Sequence, residues 1–291
     1  MQSIQQKTQG ERSIGAILID TGRLSAIDAE KILREQKQSN IRFGDAALSL
    51  GLLDQEDIQF ALACQFDYPY LSHGDPSVSE EVIAAFRPFS SVVEQIRALR
   101  TQLMLRWFDA DASHKSIAII SPEKGDGRSF IAANLAVVFS QLGERTLLID
   151  ADLRCPRQHE LFRVGNSAGL SAVLAGRATP ADAVVKVGKL LGLSVLPAGA
   201  IPPNPQDLLS RDAFSSMLGG YSESYDVIII DTPAAAVSAD VQIISSRAGA
   251  ALLVASNNYT RVAALQSLTA SLQNSNVTIV GSLLNDRTDK N

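Results

Sequence analysis

Three polar clusters in the back half of the chain each stand where a short apolar run ends. Together they could handle a phosphoryl group. The first is Ser121-Pro122-Glu123-Lys124-Gly125-Asp126-Gly127-Arg128-Ser129, which separates the apolar runs SIAII (116–120) and FIAANLAVVFSQLG (130–143). Glycines at such a place free backbone N–H groups to wrap a phosphate, aided by the positive end of the helix that follows. Arg128 adds a cation, and Ser129 adds a hydroxyl able to ligate Mg2+. The second cluster is Asp150-Ala151-Asp152, two carboxylates leaving the run TLLID (146–150). The third is Asp231, which closes DVIIID (226–231) after four apolar residues. An acid so placed can bind Mg2+ directly or through water. Nucleotide binding with a divalent cation, and phosphoryl transfer, is the chemistry this set allows.

The elements that must hold these clusters alternate between strand and helix. Strand candidates are 116–120, 146–150, 194–199, 226–231, 251–256 and 278–285. Continuous apolar strands alternating with helices imply a parallel sheet covered on both faces, with ligands at the carboxyl ends of the strands. The expected fold class is α/β, a doubly wound and mostly parallel sheet preceded by a small helical domain. The 291 residues suit two domains, and 46% hydrophobic with 20% charged residues is a globular composition. A net charge of −5 argues against a nucleic-acid polymer as partner. No apolar leader is visible, and the run 248–255 is far short of the ~20 residues that span a bilayer. The expectation is a cytoplasmic protein with Cys64 and Cys155 reduced.

The front of the chain repeats itself. Residues 13–36 and 42–65 align at an offset of 29, matching Gly15 with Gly44, Gly22 with Gly51, Leu24 with Leu53, Leu33 with Leu62 and Gln36 with Gln65. Ser25 and Asp54 are each followed three residues on by an acid, which is a helix-start signal in both copies. Gly22 and Gly51 fall where a glycine would end the preceding helix. Each copy therefore reads as helix, tight turn, helix. Residues 66–90 carry three prolines and a Ser/Asp cluster, the composition of a connection. From Ser91 the apolar spacing turns helical, and Glu94, Arg97 and Arg100 lie three apart on one side. The expected organisation is a repeat domain over 1–72, a linker over 73–90 and a nucleotide domain over 91–291.

The repeat resembles the MshEN domain at the front of type II secretion and pilus ATPases, whose tandem motif binds cyclic di-GMP. That resemblance would assign Gly15, Leu18, Gly22, Leu33 and Gln36 in the first copy to the ligand, with Arg42, Gly44, Gly51, Leu62 and Gln65 in the second. Ser13 stands where the family has Arg, and Ala29 and Ala47 where it has Leu. A docking domain without the ligand is the other reading. The first polar cluster differs from the pattern Gly-x-x-x-x-Gly-Lys-Ser/Thr at Pro122 and at Arg128, which keeps the charge as a planar fork.

Residues 88–291 resemble the bacterial tyrosine kinases (BY-kinases), relatives of the MinD/ParA ATPases. The three clusters match that family's Walker A, A′ and B motifs, and Glu94-x-x-Arg97-x-x-Arg100 matches its subunit-contact motif. The run GERTLLIDADLRCPRQHELF (143–162) is similar to the EpsG type of chain-length-determinant tyrosine kinase, encoded in exopolysaccharide loci. The resemblance implies ATP and Mg2+ as cofactors, and a nucleotide contact over Lys124, Gly125, Asp126, Gly127, Arg128, Ser129 and Phe130, with Asn285 at an adenine-reading position. It makes Ser129, Asp152 and Asp231 the metal residues, with Arg128, Asp150 and Asp152 catalytic; Asp150 would draw the proton from the incoming hydroxyl. It further implies a homo-oligomer joined through Glu94, Arg97 and Arg100, a tyrosine-containing protein substrate, and recruitment to the inner membrane by a transmembrane chain-length regulator of the Wzz type. Chain-length control, gated by cyclic di-GMP, is the expected role. The five tyrosines, Tyr68, Tyr70, Tyr221, Tyr225 and Tyr259, form no C-terminal cluster, so self-phosphorylation on such a cluster is not expected. Two other readings stay open: a nucleotide-binding scaffold with little kinase activity, and a MinD/ParA-like ATPase, whose signature lysine would fall at Glu123.

Overall fold

The computed structural model describes residues 13–65, 70–71, 74–190 and 192–286. Tyr68 and the last five residues, 287–291, lie outside them. The chain divides into two compact units, Met1–His73 and Gly74–Asn291.

The first unit contains α1 (Ile14–Asp20), α2 (Ala26–Ser39), α3 (Phe43–Ser49) and α4 (Gln55–Gln65). Ser25 Oγ accepts from the Asp28 amide at 3.1 Å, and Asp54 Oδ1 accepts from the Asp57 amide at 2.8 Å. Gly22 and Gly51, at φ +71° and +63°, end α1 and α3 in the left-handed region that other residues enter at a cost. α1 packs on α4 and α2 on α3. The core of Ile17, Leu18, Ile32, Ala46, Ala47 and Ala61 is therefore shared between the copies. Arg23 also crosses them: Nη1 meets Asp57 Oδ1 at 2.7 Å, and the guanidinium lies 4.1 Å over the Phe60 ring.

The second unit opens with α5 (Ile83–Phe86) and α6 (Ser91–Leu103), the latter running into a π-helical turn at Met104–Phe108. Then follow β1 (Ser116–Ile120), α7 (Arg128–Gln141), β2 (Thr146–Asp150), α8 (Gln158–Leu161), α9 (Leu170–Leu174), α10 (Pro180–Ala183), β3 (Val185–Lys186) and β4 (Leu193–Leu196). The chain closes with α11 (Pro205–Leu209), α12 (Asp212–Ser224), β5 (Val227–Asp231), α13 (Asp240–Ala248), β6 (Ala250–Ser256), α14 (Val262–Asn274) and β7 (Thr278–Asn285). The sheet runs β3-β4-β2-β5-β1-β6-β7. Every neighbouring pair is parallel except β3–β4, a short antiparallel edge that the sequence did not announce. The expected doubly wound fold is what forms.

α7 lies beneath the phosphate-type loop and is buried all round from Ile131 to Gln141. It touches β1, β2, β4 and β5 on one side and α5 and α6 on the other. Two amide side chains inside this apolar helix therefore need partners. Asn134 Oδ1 accepts from the Ala84 amide at 2.9 Å, and its Nδ2 donates to Glu81 O at 3.1 Å. Gln141 Nε2 donates to Ala84 O at 3.0 Å. The stretch expected as a linker over 73–90 thus belongs, from Gly74 on, to the second unit, because its backbone supplies what the buried amides require. Replacing Asn134 by Ala should cost about 1–3 kcal/mol in urea unfolding, the cost of leaving buried backbone groups unpaired. A change below ~0.5 kcal/mol would refute this docking account.

Candidate nucleotide and metal site

The parallel register decides where the acids fall. β2 pairs with β5 so that Asp150 lies directly beside Asp231, both at the carboxyl ends of central strands and both fully buried. On the next strand, β1 feeds the loop 121–127, which enters α7 through Gly125 at φ +88° and Gly127 at φ +99°. These elements surround a cavity of about 310 Å³ lined by Lys124, Gly125, Gly127, Arg128, Ser129, Phe130 and Asp152, together with Arg154, Cys155, Arg157 and part of the 233–237 loop.

The loop is braced from behind. Asp126 is buried and takes two hydrogen bonds: Glu123 N–H on Oδ2 at 2.9 Å and the Thr260 hydroxyl on Oδ1 at 2.7 Å. Asn285 Nδ2 donates to Asp126 O at 3.0 Å, and the Tyr259 hydroxyl to Lys124 O at 3.3 Å. A Cβ on Gly127 would stand 2.2 Å from Asn285 Nδ2, so this position admits only glycine without a shift. Asn285, read from the sequence as an adenine contact, here supports the loop through its amide nitrogen. Asp126 likewise faces the turn at Thr260 and not the cavity.

Arg128 is buried among acceptors. Its Nε donates to Thr232 O and its Nη1 to Glu123 O, both at 2.9 Å, and Nη1 also bonds the Ser121 hydroxyl. The planar fork ties the loop at 121–123 to the exit of β5 at Thr232, which a lysine ammonium could not do in the same plane.

The three acids differ in access. Asp152 lines the cavity, with Oδ1 accepting from the Arg154 and Cys155 amides at 3.1 and 2.9 Å. Asp150 does not reach it: Oδ1 accepts from the Asp152 amide at 3.2 Å and Oδ2 from the Arg157 and Gln158 amides at 3.0 and 2.9 Å. The expectation that Asp150 takes a proton from an acceptor therefore meets a carboxylate already engaged by backbone and closed to solvent. Asp231 Oδ2 accepts from Gln158 Nε2 at 2.7 Å, while Oδ1 is buried with no hydrogen-bond partner among the described residues.

Burial, followed by the nearby Asp231 charge, raises Asp150 well above the usual carboxylate range. Burial also raises Asp231, to about 6, against the pull of the Arg128 charge and of the bond from Gln158. A carboxylate oxygen orphaned in this way, beside a serine at a helix start, fits a divalent cation. The glycine loop and Arg128 fit the phosphates. Residues that could hold Mg2+ are thus Ser129, Asp231 and Asp152. Gln158, Arg154 and Arg157 were not singled out from the sequence. Arg154 pairs with the buried Asp240 at 2.8 Å, and Arg157 with Glu81 at 2.9 Å.

Of the proposed subunit-contact residues, Arg97 pairs with Glu94 within the helix, and Arg100 Nη1 donates to Val138 O on α7 at 2.9 Å. In the first unit, Leu18 is fully buried, whereas Leu33 and Leu62 are 46% and 37% exposed. Arg42 is exposed at the start of α3, the place where Ser13 caps α1. A Cβ on Gly15 would meet the Phe43 ring at 3.2 Å, and one on Gly44 would meet Ile58 at 3.2 Å. Both glycines therefore admit core side chains of their own unit.

The fold and the site define a P-loop nucleotide-binding protein of the MinD/ParA kind. No family model matches the chain. It is 36% identical over 210 residues to the tyrosine-protein kinase YwqD of Bacillus subtilis, covering 72% of this chain and 87% of that protein. It is 34% identical over 215 residues to a putative tyrosine-protein kinase in the cps region of Klebsiella pneumoniae, covering 74% of this chain but 29% of that one. The solved kinase domain of the Escherichia coli tyrosine kinase ETK superposes with a TM-score of 0.68 at 31% identity, over 76% of this chain and 85% of that one. The chain belongs to the bacterial tyrosine-protein kinase family.

The acids give a pH signature. An aspartate raised from 3.8 to about 6 binds a proton more tightly folded than unfolded, so stability falls as pH rises from about 4 to about 6 and stays lower above. With divalent metal chelated, the protein should be less stable at pH 7.5 than at pH 5. Asp231→Asn should remove part of that difference, up to about 1.4 kcal/mol, because the part of the shift below pH 5 lies outside the compared range. Equal slopes in wild type and variant, by urea titration at both pH values, would contradict this assignment.

Proposed function

We propose that the chain is a Mg-ATP-dependent protein-tyrosine kinase of the EpsG type, acting on a tyrosine-containing protein and regulating chain length in exopolysaccharide polymerisation and export. Its membrane partner in this reading is a transmembrane chain-length regulator of the Wzz type, which would recruit it to the inner membrane from the cytoplasm. Among the described residues no helix is long and apolar enough to cross a membrane. The supporting observation is that loop 124–129 and Asp152 line one cavity, with the orphaned Asp231 oxygen buried at the end of β5, the strand beside the one that feeds this loop, together with kinase relatives matched over 72% and 74% of the chain.

Bound Mg-ATP supplies the γ-phosphoryl and neutralises its developing charge. In this proposal the amides of Gly125 to Ser129 hold the phosphates, and Arg128 sets the positive charge at the wall. Ser129 and Asp231 hold the cation with Asp152 close by. Asp152, the A′ carboxylate that lines the cavity, is placed to accept the proton of an incoming tyrosine hydroxyl, and Asp150 organises the turn behind it. Glu94, Arg97 and Arg100 form the contact between copies in a homo-oligomer. The first unit is an MshEN-like sensor that gates the kinase by binding cyclic di-GMP. A second reading is favoured by Arg128, whose Nε and Nη1 are engaged by the protein itself: nucleotide binding would then set assembly, with little phosphoryl transfer.

Incubation with γ-labelled ATP, Mg2+ and a tyrosine copolymer should label the copolymer, and Asp152→Asn should reduce that at least ~100-fold, in the range of losing general-base help. ATP binding without any transfer would select the scaffold reading. Calorimetric titration of cyclic di-GMP should show binding that Arg42→Ala removes. Absence of heat with intact ATP binding would leave the first unit a docking domain.

A further inference from the structure

One buried residue bonds to three segments of the site, two through its side chain and one through its backbone. Gln158, the first residue of α8, is fully buried. Its Nε2 donates to Ser129 O at 3.1 Å and to Asp231 Oδ2 at 2.7 Å. Its backbone N–H donates to Asp150 Oδ2 at 2.9 Å. Glutamine is mostly a surface residue, so complete burial against a carboxylate requires a reason. The amide's orientation is fixed by chemistry: both partners of Nε2 are acceptors, so the nitrogen must face them. The partners come from three separate segments, namely the start of α7, the end of β2 and the end of β5.

We propose that Gln158 is a positioning residue for phosphoryl transfer, holding Ser129, Asp150 and Asp231 in one arrangement and occupying Asp231 Oδ2 so that Oδ1 is left for the cation. This deepens the nucleotide–Mg2+ reading and rests on it. The donor prevents the Asp231 carboxylate from rotating both oxygens toward a metal, and the same nitrogen fixes the backbone of the residue whose hydroxyl is the second metal group. Gln158 Oε1 and Asp231 Oδ1 are both buried without a partner among the described residues. This bonded pair therefore keeps two polar atoms in reserve, which suits a cation and its water. Gln158 does not line the cavity, so it acts through Asp231 and Ser129 and makes no claim on the nucleotide itself.

The test uses the full chain and Gln158→Met, which keeps the volume and removes the donor. ATP affinity is measured with Mg2+ and with chelator, alongside thermal melting and steady-state transfer. The expected result is a folded variant with chelator-state ATP affinity within about twofold of wild type. Its Mg2+-dependent tightening should shrink about tenfold or more, the range of one hydrogen bond to a charged group. Its kcat should fall by a similar factor, with KM for the tyrosine acceptor within about threefold. Wild-type Mg2+ dependence and kcat in the variant would overturn the proposal. So would an equal loss of affinity with and without Mg2+, which would make Gln158 a packing residue. If Gln158→Met does not fold, Gln158→Glu carries the same test with the shape kept and the donor replaced by an acceptor. Wild type lacking any Mg2+-dependent tightening would overturn the nucleotide reading itself, and this inference with it.

Discussion

The structure turns on two carboxylates placed side by side where water does not reach. Asp150 and Asp231 are register partners on β2 and β5, at 0% exposure. A buried carboxylate is costly, and two in contact are worse, unless donors or cations offset the charge. Much of the local architecture answers that demand. The turn after β2 folds back so that three backbone amides meet Asp150. The start of α8 brings Gln158 under Asp231, and Arg128 lies close enough for its charge to pull Asp231 down. What is left over is one buried carboxylate oxygen with no hydrogen-bond partner among the described residues, at the end of the strand beside the one that feeds the cavity's loop.

The loop above this pair is held by a different set of bonds. Asp126 reaches away from the cavity to Thr260, and Asn285 grips the Asp126 carbonyl from the end of β7. The phosphate-type loop is thus anchored to the two strands on the far side of β1, while its Arg128 is anchored to the exit of β5. A glycine is compulsory at 127 for two reasons that coincide, the left-handed backbone and the contact with Asn285. The first unit shows the same economy: Gly15 and Gly44 make room for Phe43 and Ile58. Spacing that resembles a ligand motif therefore also has a packing reason in this chain.

Much of this was legible in residues alone. SIAII, TLLID and TIVGSLLN occupy their strands as read, and the acids fall at strand ends because apolar runs stop there. The repeat's caps and terminal glycines follow local rules, so both copies form where expected. Long-range placement was not legible. Nothing in a sequence says that Asp150 turns inward while Asp152, two residues on, lines the cavity, since that depends on the 150–158 turn. Gln158 carried no signal, being one polar residue in a polar run. The prolines and serines of 73–90 suggested a linker, and the counter-signal lay elsewhere, in the amides of Asn134 and Gln141 within an apolar helix. The helix α7 begins at Arg128, two residues before the apolar run, because the left-handed Gly127 starts it there.

The central claim is that the orphaned Asp231 oxygen, fixed by the β2–β5 register, is a metal ligand in a nucleotide site. Electron paramagnetic resonance of Mn2+ titrated into the protein with ADP reads this most directly. The account predicts one tightly bound, ordered Mn2+ per chain, lost when Asp231 becomes Asn, while ADP binding in chelator persists. Mn2+ bound equally well by wild type and the Asp231→Asn protein would contradict it.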